Sequence, residues 1–189
     1  MTNLLTDSEK RTLLQLARDA LEHSVRRQLP PRLDKDLLTP TLRSEGAAFV
    51  TLTKDGQLRG CIGALEPYQS LAEDVREHAA DAALQDYRFS PVQPEELPEI
   101  EIEISRLTPP IPLDYASPED LLDKLTPGLD GVILSNGIRR ATFLPQVWEK
   151  LPDKADFLDH LCAKLGEPPD IWRRKHLDVL VYQVEEFHE

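Results

Sequence analysis

The chain has 189 residues, with 22 Lys and Arg against 34 Asp and Glu and a net charge of -12. That sign opposes a phosphate backbone or an anionic lipid surface, so nucleic acid and membranes are excluded as partners. No stretch approaches the roughly 18 apolar residues of a spanning helix, and two cysteines with no N-terminal leader pattern predict a reduced, cytoplasmic protein.

Apolar residues at Leu13, Leu16, Ala17, Ala20, Leu21, Val25 and Leu29 share one helical face. Thr6 with Glu9 forms a capping box, and Pro30-Pro31 is the expected stop. Ala47 to Thr53 and Leu58 to Leu65 read as two strands of a hairpin turning at Asp55-Gly56. A two-residue loop there pairs Thr53 with Leu58, Leu52 with Arg59 and Val50 with Cys61. Ser70 and Glu73 cap the next helix, whose Leu71, Val75, Ala79, Ala82 and Ala83 form a stripe narrow enough to pack close to a sheet.

Ile100, Ile102 and Ile104 alternate with Glu101, Glu103 and Ser105, the pattern of a half-exposed strand, and seven of the sixteen prolines flank it. Ser117-Pro118 opens a short helix to about Leu125. Asn136-Gly137 marks a second hairpin, two short helices break at Pro152 before a stop at Gly166, and Leu177 to Phe187 closes the chain as a strand. Hairpins and late strands predict an α+β fold with a largely antiparallel sheet flanked by helices.

Leu58-Arg59-Gly60-Cys61-Ile62-Gly63 is the unusual stretch, since glycines inside a strand mark a bulge or a close approach. Regular alternation puts Arg59 and Cys61 on one face, where the guanidinium would favour a thiolate able to act as nucleophile or ligand. The alternative is a small buried Cys61 packed on Val50, with glycines that admit a helix. Arg88-Phe89 and Arg139-Arg140 add cations that could join Arg59 in receiving a small anion or stay solvated. His78 reads as an exposed helical residue. His160 and Cys162 point apart on one helix, so no metal and no cofactor are assigned. Trp148 and Trp172 read as core.

Leu58 to Gly63 with Leu65-Glu66-Pro67, Arg88-Phe89, Glu96-Leu97-Pro98, Ile102 to Ser105, Asp130-Gly131 and Thr142-Phe143-Leu144-Pro145-Gln146-Val147-Trp148 resemble, in order along nearly the whole chain, the AMMECR-type domain family. The nearest form is the bacterial and archaeal one called AmmeMemoRadiSam system protein A. The resemblance implies one domain over residues 1–189, with a larger sheet lobe and a smaller second lobe. It also implies partnership with a Memo-like protein and a radical S-adenosylmethionine protein, without an established reaction. Carried over by position, it marks Cys61 as the candidate catalytic residue and Arg59, Gly60, Gly63, Arg88 and Phe89 as candidate binding residues. The family's Asp-Pro-Arg-Phe tract stands here as Asp86-Tyr87-Arg88-Phe89, which loses the proline of that turn. Two functions are therefore carried forward, an enzyme component that uses Cys61 and a non-catalytic module that binds the partner proteins or a small ligand.

Overall fold

Thr6 starts the first helix as its spacing to Glu9 requires. Its hydroxyl accepts the Glu9 N–H at 3.3 Å while the Glu9 carboxylate accepts the Thr6 N–H at 2.8 Å, and α1 (Asp7–Val25) follows in the computed structural model, which describes residues 4–189. The helix ends before Pro30-Pro31 can act. Arg27 takes φ 57° and the Gln28 N–H turns back to the His23 carbonyl, so Leu29 is exposed and does not extend the buried face.

The chain divides into two compact units, one running to Thr108 and recovering Glu185–Glu189, the other Pro109–Val184. In the first unit α2 (Pro40–Arg43), β1 (Ala47–Lys54), β2 (Gln57–Gly63), α3 (Leu71–Leu84) and β3 (Ile100–Leu107) follow α1. The sheet order is β2-β1-β3-β8, where β8 is Val184–His188. Ala48, Val50 and Leu52 of β1 and Ile102 and Ile104 of β3 are buried with Leu13, Ala17 and Leu21 of α1 and Val75, Ala79 and Ala82 of α3. The small residues of α3 let it lie close to the strands, as the stripe predicts.

The second unit contains β4 (Ile111–Pro112), α4 (Pro118–Lys124), β5 (Gly131–Asn136), β6 (Arg139–Phe143), α5 (Lys154–Leu165), α6 (Ile171–Arg174) and β7 (Asp178–Tyr182). Its sheet order is β4-β7-β5-β6. Strands within each sheet pair antiparallel and helices pack on them, an α+β architecture. Trp148 and Trp172 are core residues, and Trp148 stacks on Phe157 with centroids 3.6 Å apart.

Two details depart from the sequence reading. The last predicted strand is two strands, β7 and β8, which belong to different sheets and change over at Gln183. Apolar content continues across that changeover, so periodicity alone does not reveal it. The second hairpin turns at Gly137-Ile138, since Asn136 already pairs with Arg139. Glycine then occupies the first turn position with φ 61°, which suits its freedom from Cβ clashes.

Candidate functional site

The β1–β2 hairpin turns at Asp55 and Gly56, both at positive φ, and Lys54–Gln57 and Thr53–Leu58 pair as expected. Beyond them the register shifts. Leu52 pairs with Gly60, Thr51 with Cys61, Val50 with Ile62 and Phe49 with Gly63, so Arg59 is the extra residue of a β-bulge. A one-residue slip moves every later side chain to the other face. Cys61 is accordingly not the partner of Val50. It shares the face of Thr51, and Thr51 in turn pairs with Glu103 on β3.

Gly60 explains the bulge. A Cβ there would lie 2.0 Å from the Ala82 carbonyl oxygen of α3, so the helix occupies the space a side chain would need. The room at Gly63 is filled as well, with the Phe49 ring 2.5 Å from the equivalent position. Both glycines serve packing within the first unit.

Cys61 is half-buried, and the Thr51 hydroxyl donates to its sulfur at 3.3 Å. Its backbone faces the free edge of the sheet, because β2 is an outer strand. There the Cys61 N–H donates to Asp86 Oδ2 at 2.9 Å, and Arg88 Nη2 donates to the Cys61 carbonyl at 3.2 Å. One acceptor and one donor thus meet the two polar groups that a neighbouring strand would otherwise satisfy. Arg88 also binds Asp86 through Nε at 2.9 Å and Nη2 at 2.6 Å, which joins the clamp into one unit.

Asp86 is 5% exposed. The Arg88 side chain holds its carboxyl well below the usual carboxylate range, helped by the Cys61 and Arg88 backbone N–H groups and opposed by burial. The Asp86–Phe89 turn closes without proline. The Arg88 N–H bonds to Asp86 Oδ1 at 3.1 Å, the Phe89 N–H to the Asp86 carbonyl at 3.0 Å, and Tyr87 projects into solvent. The Arg88 guanidinium lies 5.6 Å from the Phe89 ring centroid.

Arg59 goes elsewhere. It forms two 3.0 Å bonds to the Glu96 carboxylate, in the short 3₁₀ helix Pro94–Glu99, and Nη1 donates to the Ser90 carbonyl at 2.9 Å. The Arg59 bonds to its carboxylate, opposed by burial and helped by the Gln93 N–H at 2.8 Å, push Glu96 down to about 2. The guanidinium that reaches Cys61 is that of Arg88, through the backbone.

The structure therefore brings together Cys61, Arg88 and Phe89, places Gly60 and Gly63 as packing positions beside them, and commits Arg59 to Glu96. Sequence reasoning missed Thr51 and Asp86 as members of this site. The Asp86-x-Arg88 spacing was in view, but only the bulge reveals which strand it clamps. His78 is not exposed as predicted, since it is buried beside Asp74 with Nδ1–Oδ2 at 3.2 Å, and Asp74 also accepts the Ala48 N–H at 2.9 Å. Among the described residues no group of three or more His, Cys, Asp or Glu is placed to hold a metal ion. No helix among them is long and apolar enough to cross a membrane.

The AMMECR1 family model matches residues 14–187. A protein of Methanothermobacter thermautotrophicus is 42% identical over 186 residues, covering 98% of this chain and 96% of its own length. A Methanopyrus kandleri protein is 38% identical over 193 residues, covering 100% of this chain and 92% of its own. The crystal structure of an uncharacterized Pyrococcus horikoshii protein is similar with a TM-score of 0.77 at 34% identity, over 98% of this chain and 93% of that one.

Proposed function

The chain belongs to the AMMECR1 family, and from that premise we propose that it acts through the Cys61 thiol, as nucleophile or covalent carrier of an enzyme component that works with a Memo-like protein and a radical S-adenosylmethionine protein. The observation behind this reading is the setting of the sulfur. It is half-buried on the sheet face away from α3, beside the Thr51 hydroxyl, on backbone held at both polar groups by Asp86 and Arg88. A fixed strand edge positions a reacting atom before its substrate arrives, which reduces the entropic part of a barrier.

Alkylation by iodoacetamide, followed by mass spectrometry, tests the thiol. Cys61 is expected to react ahead of Cys162, which is fully buried and pushed up to about 11 by burial. Cys61→Ser is expected to abolish the output of the reconstituted three-protein system. Equal reactivity of the two thiols, with that output intact, overturns the reading.

A second reading, a non-catalytic binding module, is favoured by one observation. Arg59 is bound to Glu96 and Arg88 to Asp86, so both cations flanking Cys61 already have carboxylate partners. Cys61→Ala separates the two. A retained complex with retained output supports the module, whereas a retained complex with lost output supports the thiol.

A further inference from the structure

We propose that the cavity of about 210 Å³ in the second unit, lined by Arg173, Arg174, Lys175 and His176, receives the phosphate of a small phosphomonoester. Three consecutive permanent cations are a local reversal of sign in a chain of net charge -12, and no carboxylate lines the cavity. A field of that kind concentrates anions against the overall charge.

The wall is fixed in place. Tyr115 is 8% exposed, its hydroxyl donates to the Leu177 carbonyl at 3.0 Å and accepts the Leu177 N–H at 2.8 Å. The His176 ring stacks on it with centroids 4.2 Å apart and planes 19° from parallel. One cation is fixed too. Asp159 accepts from Trp172 Nε1 at 2.6 Å and from Arg173 Nη1 at 2.7 Å, and the Arg173 guanidinium lies 4.2 Å from the Trp172 ring centroid.

The other two cations have partners that are easily exchanged. Arg174 pairs with Asp170 at 2.6 Å, but the two side chains are 59% and 54% exposed. Lys175 donates to the neutral Asn136 side chain at 2.7 Å. Exposed pairs contribute little stability, so turning these groups toward a dianion is inexpensive. Guanidinium forks match phosphate oxygens in pairs, and a lysine adds a point charge. The volume admits a phosphate with a short stem.

Titration of the ¹⁵N-labelled chain with phenyl phosphate, inorganic phosphate and phenol tests the site. Both phosphates are expected to shift amides within residues 115–117 and 172–176, and phenol is not. Arg174→Gln and Lys175→Gln are each expected to weaken phenyl phosphate about tenfold, the loss of one charge-assisted hydrogen bond. Both positions are exposed, and an unchanged amide spectrum outside the site confirms that the variants fold. Shifts by phenol equal to those by phenyl phosphate, shifts centred on Arg139 and Arg140, or unaltered affinity in both variants would overturn the proposal.

Discussion

Asp86→Ala removes the acceptor for two backbone N–H groups, those of Cys61 at 2.9 Å and Arg88 at 3.1 Å, together with the partner of the Arg88 guanidinium. A hydrogen bond to a charged group contributes about 1.5–3 kcal/mol net. The Arg88 side chain is 45% exposed and regains water when released, so its ion pair adds little to the loss. The Cys61 amide recovers less, because it sits on a part-buried strand. A net cost of about 2–3 kcal/mol follows for Asp86→Ala, and about 1 kcal/mol for Asp86→Asn, which keeps one acceptor. The assay is hydrogen exchange at the Cys61 amide, backed by urea unfolding of the whole chain. At about 1.4 kcal/mol per tenfold, exchange should accelerate roughly 30- to 150-fold in Asp86→Ala.

Arg88→Gln is the comparison, since it removes the donor to the Cys61 carbonyl and the cation beside the buried Asp86 carboxylate but leaves both backbone N–H bonds to that carboxylate in place, so exchange at the Cys61 amide should change less than in Asp86→Ala. Unchanged exchange at Cys61 in Asp86→Ala would refute the clamp, and equal effects of the two substitutions would assign it to the guanidinium. The pH dependence has a definite sign. A carboxyl held below its unfolded value, about 3.9, contributes stability that is complete above that pH and is lost as pH falls through the lower folded value. The gap between wild type and Asp86→Asn should therefore narrow only in strong acid.

Gly60→Ala should destabilise by about 3 kcal/mol or more, because its Cβ would meet the backbone of α3, whereas Gly56→Ala, which meets nothing within 4 Å but sits at φ 71°, should cost about 1–2 kcal/mol. Urea midpoints distinguish the two, and equal losses would mean that the helix can give way. His78 provides a pH test of the opposite sign. Burial pushes its pKa down, but the Asp74 hydrogen bond and the charges of Asp74, Glu77 and Asp81 outweigh that and raise it. Its stabilisation is complete below the unfolded value, about 6.5, and is lost as pH rises through the higher folded value, so thermal melts at pH 6 and pH 8.5 should differ more in wild type than in His78→Gln.

Much of the architecture was legible because local rules agree with the final packing. The Thr6–Glu9 cap, the Ser70 and Ser117 caps, the Asp55-Gly56 turn and the small-residue stripe of α3 each have a short-range physical cause, and each is present. What was not legible depended on partners distant in sequence. The end of α1 is set by a left-handed Arg27 with no sequence signal of its own. The division of Leu177 to Phe187 between two sheets depends on which neighbours each half finds. His78 has a helical spacing that suits the surface, yet Asp74 on the same face makes its burial tolerable.

The site shows the same division at finer scale. Glycine inside β2 announced either a bulge or a close approach, and the structure contains both at one residue. Because α3 fills the space above Gly60, that residue must face the helix, while the turn at Asp55-Gly56 independently fixes Thr53 against Leu58. A regular strand cannot meet both conditions, and one extra residue, Arg59, resolves the conflict. The same insertion carries the Arg59 guanidinium to Glu96 and brings Cys61 opposite Thr51. With a regular register the thiol would lie against Val50, in the core. The accessibility of Cys61 is thus a consequence of a glycine one position earlier and of a helix residue, Ala82, twenty-one positions later, which is why strict alternation assigned it to the wrong face.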